Sequence, residues 1–249
     1  MLVLLAALAS GCAKEAKDPA EATSGACGDS VEALIGEIRY ASVQAAVDDA
    51  PDSGVVTVCA GTHHENLTIT NSVNLVGDLR ATTTIDGSRS GAVISSTSQS
   101  LVLQDLTLQG GTGYVWSPPE VSGLQTGGGI YWQGENLVLE RVTLQENTSV
   151  LGSALYALGR AGGATAVVVS DSHVLDNLGV EGADSANSGA LLLDGPFSLT
   201  ANNSEFSGNV EGDVAWFTAG TDTLVRQFVP TDTPWFECDS VHDDCTFSE

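Results

Sequence analysis

Leu101-Val-Leu-Gln-Asp-Leu-Thr-Leu-Gln109 returns as Leu137-Val-Leu-Glu-Arg-Val-Thr-Leu-Gln145 and again as Val167-Val-Val-Ser-Asp-Ser-His-Val-Leu175. A looser copy is Leu199-Thr-Ala-Asn-Asn-Ser-Glu-Phe-Ser207. Aligned on Leu108, Leu144, Val174 and Phe206, the copies lie 36, 30 and 32 residues apart. Between them runs a second short element: Gly129-Ile-Tyr-Trp132, Ala154-Leu-Tyr-Ala157, Ala190-Leu-Leu-Leu193 and Val214-Ala-Trp-Phe217. Apolar residues alternate with period two, and Thr, Val, Asn and Gly crowd the segments. That excludes the helical repeats of similar length and predicts a solenoid of stacked parallel strands. Leu101/Leu103, Leu137/Leu139 and Val167/Val169 are expected to point inward. Asp105, Arg141, Asp171 and Asn203 fall at a bend, where Asn and Asp tolerate left-handed backbone angles.

Upstream, Val43, Ala46, Val47 and Ala50 share one helical face, with Ser42 placed to cap the start and Pro51 following the end. Short strands are expected at Val55–Val58, Leu67–Ile69, Val73–Val76 and Thr83–Ile85. Turn residues such as Gly77-Asp78 and Asp86-Gly87 separate them.

These residues carry a family resemblance. Ser42-Val-Gln-Ala-Ala-Val47, the strand and turn Thr57-Val-Cys-Ala-Gly-Thr62, then Val73-Asn-Leu-Val-Gly77 and Thr84-Ile-Asp-Gly87, resemble the start of pectin-lyase-like proteins. The likeness is specific over about residues 40–110. It implies an all-β fold, a right-handed single-stranded parallel β-helix. About seven coils are expected, beginning near 55, 73, 92, 130, 154, 190 and 214. The N-terminal α-helix would cap the open end of the core. Residues 27–228 then form the β-helix, and 229–249 a C-terminal cap in which Trp235 and Phe236 cover the last coil.

The N-terminus reads as an export signal. Met1 to Gly11 is apolar and too short to span a bilayer. Its end, Leu8-Ala-Ser-Gly-Cys12, resembles the bacterial lipobox, which implies a signal peptide at 1–11 and lipidation of Cys12. Residues 12–26 would be a flexible tether reaching roughly 20 Å. The expected address is a membrane-anchored lipoprotein, at the outer membrane or cell surface rather than the inner membrane. Four further cysteines suit export. The short gap favours Cys238–Cys245, leaving Cys27–Cys59 to pin the N-terminal segment to the first strand. A net charge of −24 argues against nucleic acid and acidic membrane surfaces as partners.

The enzyme signatures of the resembled superfamily, such as N-T-D-G and R-I-K, are missing. That points to a non-catalytic glycan- or protein-binding or structural module at the cell envelope, with oligomeric state left open. The alternative is a polysaccharide-active lyase or glycoside hydrolase. Asp105 and Asp171 occupy the same bend two coils apart, roughly 9–10 Å between Cα atoms, near the separation of inverting carboxyl pairs. Glu120 and Asp184 are loop carboxylates that would serve the same alternative. The plainer reading makes the bend a surface ladder in which Arg141 neutralises acidic neighbours. No cofactor is expected. His63-His64 beside Glu65 reads as a turn rather than a metal site, and calcium has room in the acidic loops but no D-x-[DN]-x-[DN]-G loop to hold it.

For binding, the insertion 112–126 contributes Tyr114, Trp116 and Glu120. A second insertion, 178–187, leaves the equivalent corner two coils later, so the two are expected to wall a cleft over the short turn Thr148–Leu151. Tyr131, Tyr156, Leu192 and Trp216 share one repeat position. Facing outward, they form a stripe suited to flat sugar faces; with the opposite parity they belong to the core.

Overall fold

The computed structural model describes Cys27, Val229 and residues 31–116, 124–159, 165–180, 189–210, 212–217, 224–227, 235–239 and 244–247. The expected signal peptide, Cys12, the tether, Glu120 and Asp184 lie outside these residues. Beyond one helix, the described elements are β-strands, and most pair in parallel within three sheets. The first sheet takes Gly54–Val58, Val73–Gly77, Ser100–Gln104, Asn136–Glu140, Thr165–Ser170 and Phe197–Asn202. The second takes Gly61–His63, Thr83–Asp86, Thr107–Gln109, Thr143–Gln145, His173–Leu175 and Glu205–Ser207. The third takes Leu67–Ile69, Ile94–Ser96, Ile130–Gly134, Leu155–Gly159, Leu191–Asp194 and Val214–Phe217. The chain thus visits the three sheets in rotation. Among the described residues this makes six sets of three strands, not seven; the count of seven mixes starts that lie on the first and third sheets.

The repeat sets the register. Leu101, Leu137, Val167 and Leu199 are successive partners, as are Leu108, Leu144, Val174 and Phe206. Leu101, Leu103, Leu137, Leu139, Val167, Val169, Leu199 and Ala201 are all buried in one continuous core. Each buried Leu or Val contributes about 1.5–3 kcal/mol relative to exposure. A single left-handed residue turns the chain from the first sheet to the second: Asp105, Arg141, Asp171 and Asn203 have φ of 54°, 53°, 49° and 46°. The next residue re-enters the core, as Leu106, Val142 and Ser172. Ser172 is tolerated there because its hydroxyl donates to Ser170 O (2.7 Å) and accepts from Val142 N (3.0 Å). Arg141, a costly residue for this conformation, is anchored by a two-pronged contact with Asp105 (2.6 and 2.8 Å) and by Glu140.

A second bend, from the second sheet toward the third, is built on asparagines, with Asn147 and Asn177 fully buried and Asn209 half-buried. Asn147 Oδ1 accepts from Gly111 N (2.9 Å), while Asn177 Oδ1 accepts from Asn147 N and Asn147 Nδ2, both at 3.1 Å. Asn209 Oδ1 repeats the pattern toward Asn177 N and Nδ2, again at 3.1 Å. Asp213 ends the row, accepting from Asn209 Nδ2 (2.9 Å) and Val229 N (2.8 Å). A buried polar row of this kind is stable because each amide meets a partner one strand on.

Both ends of the stack are closed. Helix α1 (Val43–Asp49) buries Val43, Ala46 and Val47 against the first coil, and the Ser42 side chain accepts from Ala45 N as its N-cap. Glu65 adds a second cap, accepting from Val43 N (2.8 Å) and Gln44 N (2.9 Å). An antiparallel pair, Ala33–Ile35 with Ile38–Tyr40, covers the exposed edge of Gly54–Val58, and the Cys27–Cys59 disulfide fastens it. At the other end Trp235–Asp239 pairs antiparallel with Phe197–Asn202, and Asp244–Phe247 adds a further strand. The Cys238–Cys245 disulfide joins directly opposed residues of that hairpin. Phe236 covers the core, in contact with Phe206 and Phe247. Trp235 does not share that task; alternation along the strand leaves it half-buried on the other face.

Candidate functional site

The outer face of the third sheet presents one row through its register: Thr68, Ser95, Tyr131, Tyr156, Leu192 and Ala215. All four residues expected at one repeat position, Tyr131, Tyr156, Leu192 and Trp216, are buried, so they form no solvent-facing stripe. Trp216 pairs with Leu193, lies one residue out of the row and is buried in the interior, while Ala215 takes its place. Tyr156 is in the row but buried, packed with Ala92, Tyr131, Leu192 and Ala215 into a satellite cluster outside the main core. Neither of the two parities considered is therefore complete: from Tyr131 to Ala215 this sheet buries both of its faces, one in the core and one in the satellite cluster, while Thr68 and Ser95 leave the start of the row open.

That cover includes the insertion after Gly110. Tyr114–Trp116 and Leu124–Thr126 form an antiparallel hairpin. Its base runs close to the sheet, and a Cβ at Gly111 would stand 1.9 Å from Gly128 O, so only glycine fits. Thr126, buried, donates from its hydroxyl to Tyr114 O (3.2 Å) and bridges to Leu151. The hairpin lays Tyr114 on Tyr131 with ring centroids 4.5 Å apart, and Tyr131 in turn stacks on Tyr156 at 5.9 Å. Burial pushes the Tyr156 phenol above its usual range, reinforced by Asp194, whose carboxylate accepts its hydrogen bond at 2.6 Å. Burial likewise raises Tyr131, with Tyr114 a smaller cause.

On the N-terminal side of this hairpin lies a groove of about 610 Å³. Tyr114 and Val115 form one wall and remain substantially exposed, at 41% and 56%. Thr68, Ser95 and Gln133 project from the sheet floor, and Asn66 and Thr97 sit at the margins. The described lining contains no Asp, Glu, Lys, Arg or His. The cleft expected between the two insertions is not where the groove forms. Leu151 packs onto the tyrosine cluster there, and 181–188 lie outside the described residues. Of the expected binding residues, Tyr114 and Tyr131 meet in the groove. Trp116 belongs to the hairpin strand, with its side chain outside the described set.

Asp105 and Asp171, two carboxylates of the enzymatic alternative, are not among the described residues lining this groove; Glu120 and Asp184 lie outside the described residues. Asp105 is engaged by Arg141, whose guanidinium is held more firmly protonated by that hydrogen bond. The Asp171 carboxylate instead accepts from Asn203 Nδ2 (2.6 Å). The ladder therefore forms, but Arg141 neutralises Asp105 and Glu140 rather than Asp105 and Asp171. Arg80 reaches the Asp171 main-chain oxygen at 2.6 Å. His173, beside it, is lowered by burial first and by Arg80 second.

Near the N-terminal cap, ligand atoms of Glu32, His63 and Glu65 lie within 4.8 Å of one another. His64 does not join them; its Nδ1 lies 3.1 Å from Ser88 Oγ. The Glu65 oxygens are occupied by the α1 amides. His63 is buried, with Nε2 donating to Cys59 O (2.8 Å) and Nδ1 3.2 Å from Glu32. This arrangement ties the capping hairpin to the first coil.

Two features escaped the reading of the sequence. The asparagine row had a signal: Asn147, Asn177 and Asn209 each follow the aligned Leu144, Val174 and Phe206 by three positions. The groove's hydroxyl and amide floor had none, because Thr, Ser and Gln on an outer strand face are ordinary surface residues. Comparison with family models, with curated proteins and with solved structures finds no match to this chain.

Proposed function

We propose that the chain is a right-handed parallel β-helix of the pectin-lyase-like kind, exported and anchored to the cell envelope through Cys12, that works as a non-catalytic binding module for a glycan or protein partner. Rotation of the chain through three parallel sheets, six times, with a helix over one end, supports the β-helix reading. The two disulfides support an oxidising compartment. One observation carries the binding reading. The groove combines an exposed tyrosine wall with hydroxyl and amide groups, while its described lining offers no group suited to general acid–base work at neutral pH. Asp105 and Asp171 are spent in surface contacts instead.

The test is turnover. Purified protein is assayed for new reducing ends and unsaturated uronates on pectin, alginate and peptidoglycan fragments, and none is expected. Turnover that disappears in Asp171→Ala would replace the module with an enzyme. In parallel, Cys12→Ser is expected to release the protein from the membrane fraction; unchanged fractionation would remove the anchor from the proposal.

A further inference from the structure

The described residues lining the groove carry no charged side chain, in a chain of net charge −24. Thirty-two acidic residues stand in the sequence, yet none is among the described residues lining this depression. A carboxylated or sulfated ligand would find no cation in that lining and would approach against the field of the whole chain. An ammonium or guanidinium would find no carboxylate there to pair with. A purely apolar ligand would cover Thr68, Ser95 and Gln133 and strip them of water without replacing it. What remains is an uncharged ligand with one apolar face and hydrogen-bonding edges.

The aromatic wall sharpens this. Tyr114 is 41% exposed yet held in place by its stack on Tyr131 at 4.5 Å. A ring already ordered loses little further freedom on contact. Beside it, Thr68 and Ser95 are register partners on adjacent strands, and Ser95 pairs with Tyr131 on the next. Parallel strands lie about 4.8 Å apart, so polar groups and the aromatic wall repeat on a step close to the size of one sugar ring. The volume, about 610 Å³, falls within the roughly 300–1,000 Å³ of small-molecule sites. We infer that the groove takes an uncharged oligosaccharide, with one pyranose face against Tyr114 and its hydroxyls bonded to Thr68, Ser95 and Gln133. This rests on the binding-module reading and narrows it to neutral glycans.

Calorimetric titration of the full chain tests it. The probes are cellohexaose, mannohexaose and maltohexaose as neutral chains, hexagalacturonate as an anionic one and chitosan hexamer as a cationic one. At least one neutral hexasaccharide is expected to bind, with affinity that changes less than about twofold with added salt because no ion pair forms. Tyr114→Ala should weaken it at least about tenfold, while Tyr114→Phe, which keeps the stacking face, should stay within about threefold. Thr68→Arg, an exposed strand position that fills the floor, should give the same loss as Tyr114→Ala and guards against a hairpin that fails to fold. Binding confined to the charged hexamers overturns the inference, as does neutral binding that neither variant weakens. Absence of binding to all five probes also overturns it, while leaving a module with a protein partner. Cleavage of any probe would remove the module reading as well.

Discussion

Asn177 is the side chain on which the stacking of this fold is most directly measurable. It is fully buried in the middle of the asparagine row. Its Oδ1 accepts from the main-chain N and the side-chain Nδ2 of Asn147, and its Nδ2 reaches Leu144 O (2.9 Å), Leu175 O (3.0 Å) and Asn209 Oδ1 (3.1 Å). Asn177→Ala removes all of these, while the main-chain bond from Asn177 N to Asn209 Oδ1 survives. Three net hydrogen bonds at about 1 kcal/mol each, plus about 1–2 kcal/mol for leaving the Asn147 N–H buried without an acceptor, give a loss of about 4–5 kcal/mol. For a chain of this size that is a fall in Tm of roughly 8–20 °C. Gln145→Ala is the control: it also breaks an amide contact between coils, Gln145 Nε2 to Gln109 Oε1 at 3.0 Å, but on the half-buried outer face. Its expected cost is about 1 kcal/mol or less. Asn177→Asp separates hydrogen bonding from cavity formation, because it keeps the volume and the acceptor but removes the donor. It should cost at least as much as alanine at neutral pH. Urea or thermal denaturation gives the stabilities, and hydrogen exchange at the Asn147 amide gives the local effect. If Asn177→Ala costs no more than Gln145→Ala, or the Asn147 amide stays protected, the row is not what holds these coils together.

Two further outcomes follow from the same geometry. Burial raises the pKa of Asp213, against the opposing hydrogen bonds from Asn209 and Val229. A carboxyl raised in the folded state contributes most below its ordinary unfolded value near 3.9, and loses that contribution as pH rises through the raised value. The stability of the native protein minus that of Asp213→Asn should therefore fall as pH is raised from about 4 toward neutrality; a flat or rising difference in paired melting curves would refute the assignment. Replacing Cys27 and Cys59 together by Ser opens a loop of 32 residues and should cost about 3–4 kcal/mol. The Cys238–Cys245 pair, with a separation of 7, should cost about 2–3 kcal/mol. Denaturation of the two double variants checks the order, and a larger loss at the shorter loop would contradict it.

Much of this architecture was legible residue by residue. The copies beginning at Leu101, Leu137, Val167 and Leu199 determined strand register and inward faces, because a period of two with one face buried allows no slip. The bend residues Asp105, Arg141, Asp171 and Asn203 were identified from their spacing. Ser42 and Pro51 bounded α1, and the short cysteine gap led to both disulfides. Tertiary structure decided the rest. Whether Trp216 belonged with Tyr156 depended on a one-residue register at Val214–Phe217, and four apolar or aromatic residues in succession carry no alternation from which to read it. The coil count depended on which sheet each short strand joined. The groove depended on where the hairpin at Tyr114 folds back, and a loop's direction is set by what it packs against rather than by its own composition. The lack of charge among the described residues lining the groove was the least visible feature of all. Charge in the sequence is a sum over 249 residues, whereas a binding surface depends on the few that the coils bring side by side.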